Sequence, residues 1–231
     1  MEKKKLLESI HRHLIVSCQA LEDEPLHGSD MMSRMAVAAQ QGGAAAIRAN
    51  GKNDIIAIKE KVGLPMIGIV KREYPDSDVY ITPTLHEVKE LIEAGVDIIA
   101  IDATGRRRPN DEKLENLLAY IRSESGCLAM ADISTKEEGV AAAQMGFDLI
   151  STTLSGYTAY SRDLEGPDFQ LIRELSASIA QPVIAEGKIY SPEEAAEALA
   201  CGAYAVVVGS AITRPQILTR RFANQIRKED D

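Results

Sequence analysis

Short β-rich apolar runs alternate with amphipathic stretches along almost the whole chain. Eight such runs stand at 13–19, 44–48, 65–71, 97–102, 127–132, 147–152, 182–186 and 203–209. Each is nearly continuous in apolar residues, the pattern of parallel strands covered on both faces. The phrases EAGVDIIAID (93–102), QMGFDLISTT (144–153) and ACGAYAVVVG (200–209) share one order: helix end, Gly, small or polar residue, apolar strand. Repetition of that unit is what a ring of βα pairs leaves in a sequence. Helix starts are marked at Ser134, where Glu137 three residues on suggests a capping box, at Ser191-Pro192, and at Thr82-Pro83-Thr84 before a helix running to about Ala94. Gly95, Gly146 and Gly202 mark helix ends.

Eight strands fit a closed (β/α)8 TIM barrel, and 231 residues suit one such domain, typically of about 250. The rival is a doubly wound open sheet, but no GxGxxG follows the first run. The expectation is therefore one α/β domain over 1–231, with residues 1–12 as an extra N-terminal helix closing the barrel floor. Aromatics are 4% of residues and Trp is absent, so the core must be built from Ala, Val, Ile and Leu.

A net charge of −9 disfavours nucleic acid and anionic membranes as partners, without forbidding a local pocket for an anion. Cys18, Cys127 and Cys201 are scattered and odd in number, which argues against a disulfide framework and for the cytoplasm. No apolar run approaches the ~20 residues of a membrane span, and no signal-peptide pattern precedes His11. The four histidines lack metal spacing: His86-Glu87 begins like HExxH, but Glu90 stands where the second His should be. No metal or other cofactor is expected. Cys18 lies one residue inside the first run and reads as an inert buried thiol.

Active sites of such barrels lie at the C-terminal ends of the strands. The final residues of the eight runs are Gln19, Arg48, Lys71, Asp102, Asp132, Thr152, Glu186 and Gly209. Five are ionisable, where a 26% charged composition gives about two. Glu186-Gly187-Lys188 follows the seventh run, and Gly209-Ser210 with Arg214 follows the eighth. Loops 7 and 8 are a common phosphate site, and Gly lets the backbone approach the anion. The residues alone thus predict an enzyme for a small phosphorylated substrate.

The stretches LIVSCQALEDEPLH (14–27), AIRANG (46–51), PMIGIVKREY (65–74), IAIDATGRRRP (99–109), AMADIST (129–135), STTLSGYT (151–158) and VIAEGKIYSPEEA (183–195) carry a more specific signal. They resemble the N-acylglucosamine-6-phosphate 2-epimerase family, over nearly the whole chain. The resemblance implies interconversion of N-acetylmannosamine 6-phosphate and N-acetylglucosamine 6-phosphate, an activity of amino-sugar and sialic acid catabolism. It makes Lys71 the catalytic proton carrier, with Glu186 and Asp132 beside the substrate and Arg48 on its oxygens. Gln19 becomes a binding residue, and Gly187, Gly209, Ser210 and Arg214 become phosphate contacts. The expected partners are the sugar phosphate and a second copy of the chain in a homodimer. Two alternatives stay open at this level: a Schiff-base aldolase with Lys71 as nucleophile, and a non-catalytic sugar-phosphate-binding barrel.

Overall fold

A computed structural model of the protein describes residues 3–227. Eight parallel strands close on themselves: β1 (Leu14–Cys18), β2 (Ala46–Asn50), β3 (Met66–Ile69), β4 (Ile98–Asp102), β5 (Leu128–Asp132), β6 (Leu149–Ser151), β7 (Val183–Glu186) and β8 (Ala205–Val208). Every strand pairs with its sequence neighbours, and β8 returns to β1. The expected (β/α)8 barrel is the architecture observed.

The described residues form ten α-helices around it: α1 (Lys3–Ile10), α2 (Ser29–Gln41), α3 (Lys52–Lys59), α4 (Leu85–Ala94), α5 (Leu114–Glu124), α6 (Lys136–Met145), α7 (Phe169–Ser178), α8 (Pro192–Ala200), α9 (Ser210–Thr213) and α10 (Pro215–Arg227). The expected floor helix is α1; residues 1 and 2 lie outside the described residues. Leu6 and Ile10 of α1 pack with Ile98 and Leu128 at the starts of β4 and β5. Capping boxes start α4 at Thr84 with Glu87 and α8 at Ser191 with Glu194. The box expected at Ser134 sits one residue later, on Thr135 with Glu138. Ser134 instead gives both its N–H and its hydroxyl to the same Glu138 carboxylate. Gly95 and Gly146 end their helices in the left-handed region, as expected.

Two apolar layers follow from the alternation of side chains along a strand. Ile47, Ala49, Ile99, Ile101, Ala129 and Ala131 point outward and pack under the helices. Ile15, Ala46, Ile67, Ile98, Leu128, Leu149, Ile184 and Ala205 fill the barrel interior. Following each interior row upward by twos reaches Ser17 and Gln19, Arg48, Lys71, Asp102, Asp132, Thr153, Glu186 and Gly209. The inner surface is apolar below and polar at the mouth.

Several strand ends differ by a residue or two from the sequence expectation. Arg48 is mid-strand, with two more residues of β2 above it. Gln19, Thr152 and Gly209 each lie one residue past a strand, and Lys71 lies two past β3. Lys71 is nevertheless held: its N–H donates to Asn50 Oδ1 at 2.7 Å, and it bridges antiparallel to Ile81 on the returning loop.

Candidate active site

One cavity of about 470 Å³ opens at the C-terminal mouth of the barrel, a volume suited to a small ligand. Gln19, Arg48, Lys71, Glu186, Gly187, Gly209, Ser210 and Arg214 all line it. The structure thus brings together eight of the nine site residues expected from sequence. The ninth, Asp132, is fully buried behind Arg48 and forms no part of the cavity wall.

At the centre lies a buried charge cluster. Arg48 is 1% exposed and forms a two-pronged bond to Asp132, Nη1 to Oδ1 at 3.1 Å and Nη2 to Oδ2 at 2.6 Å. Its Nη1 also stands 2.9 Å from Glu186 Oε2. Burial works against a charged guanidinium, but the two carboxylates more than offset it and hold the Arg48 proton more tightly than usual. Glu186 is pushed the other way. Burial, with Asp132 nearby, raises it from 4.5 to about 7, against the pull of Arg48, Thr153 and Lys71.

Lys71 extends from the opposite side. In a closed ring of eight strands, β3 and β7 lie across from each other. Burial lowers the Lys71 ammonium from 10.5 to about 8, helped by the positive charges of Arg48 and Arg214 and opposed by Glu186 and Glu24. Sequence alone left that balance open; burial decides it. A lysine so placed can give or take a proton near neutral pH.

The cavity lining also includes the two turns. Gly187 has φ +109°, a conformation that L side chains rarely adopt. At Gly209 the constraint is space: a Cβ would come within 3.3 Å of Ser17 Cβ. The short α9 starts at Ser210, which lines the cavity, and the N–H groups of Ile212 and Thr213 turn back onto the Gly209 carbonyl. Arg214, between α9 and α10, bonds Glu24 Oε2 at 2.8 Å from its Nη2, and Gln216 donates to the other oxygen of Glu24. Glycine turns that let an anion approach the backbone, with one guanidinium beside them, suit a bound anion.

The comparisons with known proteins agree with this geometry. The family model described as "Putative N-acetylmannosamine-6-phosphate epimerase" matches residues 32–228. A Clostridium perfringens protein named "Putative N-acetylmannosamine-6-phosphate 2-epimerase" is 56% identical over 222 residues, covering 96% of this chain and 100% of that one. The chain belongs to the N-acetylmannosamine-6-phosphate 2-epimerase family. A similarly named Listeria monocytogenes relative is 53% identical over 226 residues, covering 96% of this chain and 95% of its own. Among solved structures, the N-acetylmannosamine-6-phosphate 2-epimerase from Clostridium perfringens superposes with a TM-score of 0.93 at 57% identity, over 95% of each chain.

Within this epimerase scaffold, some residues fall elsewhere than their sequence positions suggested. Asp102 ends β4 but does not reach the cavity: it accepts from Arg106 at 2.6 Å and from Thr104 at 2.7 Å, fully buried. Cys18 is buried too, and burial pushes its thiol up to about 12, so it is no nucleophile. Glu87, of the HExxH-like stretch, is spent on capping α4 and on Arg72. Sequence reading missed Thr153, Tyr80, Tyr157 and Tyr190, which line the cavity. Thr153 carries the one usable signal, since it continues the inward row of β6 one step beyond the apparent strand end.

Proposed function

We propose that the protein interconverts N-acetylmannosamine 6-phosphate and N-acetylglucosamine 6-phosphate by moving a proton at C2. The observation that carries this reading is that Lys71 and Glu186 line one cavity together with Gly187, Gly209 and Arg214.

The C2 hydrogen of the open-chain sugar is acidified by the adjacent C1 aldehyde. Neutral Lys71 takes that proton, and the electron pair of the C–H bond passes into a C1–C2 double bond. The carbonyl π electrons move to O1, which takes a proton from the Glu186 carboxylic acid. In the reverse sequence Glu186 recovers the O1 proton and the Lys71 ammonium returns a proton to the other face of C2. Every proton and electron is accounted for within these two side chains and the sugar. Asp132 holds Arg48 in plane, and Arg48 keeps Glu186 Oε2 in place. Gly187, Gly209, Ser210 and Arg214 hold the phosphate, whose binding energy is used to orient the distant C2. The scheme needs no metal or redox cofactor.

The opposition of β3 and β7 favours a second version, in which Glu186 itself serves the other face of C2. Proton NMR of N-acetylmannosamine 6-phosphate with the protein in D2O tests both. Product appearing as N-acetylglucosamine 6-phosphate supports the assignment, and no turnover overturns it. Product that keeps part of its original C2 hydrogen from the first turnovers supports the one-lysine version. Complete deuteration in both directions supports the two-residue version. Trapping of the chain by borohydride and substrate would instead point to Schiff-base chemistry at Lys71.

The same reading makes the protein a cytoplasmic enzyme of amino-sugar catabolism and a homodimer. Its three cysteines are unpaired, in keeping with a reducing compartment. The described residues contain no helix long and apolar enough to cross a membrane. Support for the dimer comes from α10, where Leu218, Phe222 and Ile226 recur every four residues and stay exposed.

A further inference from the structure

Thr153 stands at the junction of the two buried carboxylates. Its Oγ1 is 2.8 Å from Asp132 Oδ1 and 3.1 Å from Glu186 Oε2. Arg48 Nη1 reaches the same two oxygens, at 3.1 Å and 2.9 Å. Two donors therefore span one pair of carboxylate oxygens: a guanidinium N–H and a hydroxyl. The hydroxyl of Ser151, fully buried at the end of β6, lies 2.8 Å from Thr153 Oγ1. Ser151 can donate to Thr153, which frees the single Thr153 proton for one carboxylate at a time. The preceding residue acts on the same target. Thr152 Oγ1 donates to the Glu186 carbonyl at 2.9 Å and accepts the Glu186 N–H at 3.1 Å. Consecutive threonines thus fix the backbone of Glu186 and one oxygen of its head. Among the described residues, Oε2 takes the Thr153 and Arg48 contacts of the head, and Glu186 lines the cavity.

We propose that Thr153 is a positioning residue for the epimerisation: its hydroxyl anchors Glu186 Oε2 so that Oε1 is offered to the sugar, and it follows the charge of Glu186. When Glu186 is ionised, Thr153 donates to it. When Glu186 carries its proton, Thr153 donates to Asp132, the other carboxylate bonded to Arg48. The hydroxyl accommodates both states of the acid without moving any heavy atom, which a reaction run in both directions requires of its proton donor. Thr153 touches neither the reacting carbon nor its proton, and it acts through Glu186. The proposal rests on the reading of Glu186 as the acid.

The test compares Thr153→Val, Thr153→Ala and Thr153→Ser with Glu186→Gln and the double variant Thr153→Val/Glu186→Gln. Losing one donor to the carboxylate should move the acid limb of the kcat/KM profile upward by about one pH unit in Thr153→Val and Thr153→Ala. The same two variants should lose about tenfold or more in kcat while KM changes by less than about threefold. Thr153→Ser keeps the donor and should restore both the limb and the rate. In the double variant, Thr153→Val should add no further loss to that of Glu186→Gln, since its whole effect runs through that carboxylate. An unshifted acid limb in both hydroxyl-free variants, or multiplying losses in the double variant, overturns the role of Thr153. Full activity of Glu186→Gln overturns the reading of Glu186 itself, and so separates the two failures.

Discussion

Lys71 and Glu186 are far apart in proton affinity when free in water, and their shared surroundings draw them together to about 8 and about 7. With the two drawn so close, a pair that holds a single proton can carry it on Glu186 and leave Lys71 neutral. That tautomer is the base and acid the proposed scheme needs. The dependence of kcat/KM on pH should therefore be bell-shaped, with its maximum between the two values and limbs that belong to the pair. Below the lower limb both groups are protonated and the base is lost; above the upper limb both have released their protons and the acid is lost. A rate unchanged from the acid to the alkaline side would refute the assignment. At the phosphate turns, Arg214→Ala removes the guanidinium that pairs with Glu24 and leaves that carboxylate to Gln216 and the Leu21 N–H. It should reduce kcat/KM for the phosphorylated sugar by about tenfold or more and leave use of unphosphorylated N-acetylmannosamine, itself expected to be poor, unchanged. Equal use of the two sugars by the unaltered protein would remove the phosphate site from those turns. Most of these residues were legible in the sequence because polar side chains interrupt apolar runs at the strand ends. Asp102 shows where that rule fails, since a strand end can equally close a private hydrogen-bond cluster.

The strands illustrate how much of an element a sequence displays. Parallel strands covered on both faces are apolar at every position, so the alternation that separates inward from outward residues is hidden. It appears only when the closed sheet identifies Ile15, Ala46, Ile67 and their equivalents as interior, after which counting by twos leads to Arg48, Lys71 and Thr153. Strand ends shifted by a residue for the same reason: nothing in AIRANG tells Arg48 from a terminal residue. The cap of α6 moved from Ser134 to Thr135 because both have a hydroxyl and each is followed by a glutamate three residues on. Glycine within β3 makes a sharper statement. A Cβ on Gly68 would lie 2.6 Å from Val96 Cγ1 and 2.8 Å from Leu91 Cδ2, so α4 and its C-terminal turn pack directly on this strand. Gly68→Ala should cost about 1–3 kcal/mol in urea unfolding, as overpacked cores do. It should also lower kcat, because a displaced β3 carries Lys71 with it. Gly126, with open space around its Cβ position and no left-handed backbone, provides the control. Gly126→Ala should leave both stability and rate near those of the unaltered protein. Equal effects of the two substitutions would show that β3 yields freely.

The molecule as a whole sets an apolar stripe and an electrostatic cost against its stability. On α10, which contributes no buried residue, Phe222 is 66% and Ile226 64% exposed. If a second copy covers this stripe, Phe222→Asp with Ile226→Asp should sediment as a monomer where the unaltered protein sediments as a dimer; a monomeric unaltered protein at micromolar concentration overturns the dimer. The electrostatic cost lies in the barrel mouth. Lowering Lys71 from 10.5 to about 8 means that at pH 7 the fold holds a charged ammonium where it is disfavoured, at a cost of about 3 kcal/mol. Met has a similar length and no charge, so Lys71→Met should abolish turnover while raising Tm at pH 7 by several degrees, compared at equal protomer concentration. The pH dependence fixes the cause. Between about 8 and 10.5 the unfolded chain still binds the lysine proton while the folded one has released it. The unfolded state then binds more protons, so the stability of the unaltered protein rises with pH across that window. The methionine variant has no such rise from this position, and its advantage should shrink steadily from pH 8 upward. A variant no more stable than the unaltered protein at pH 7, or an advantage that grows with pH, would mean that Lys71 bears no such cost and that its proton is not held loosely enough to serve as the base.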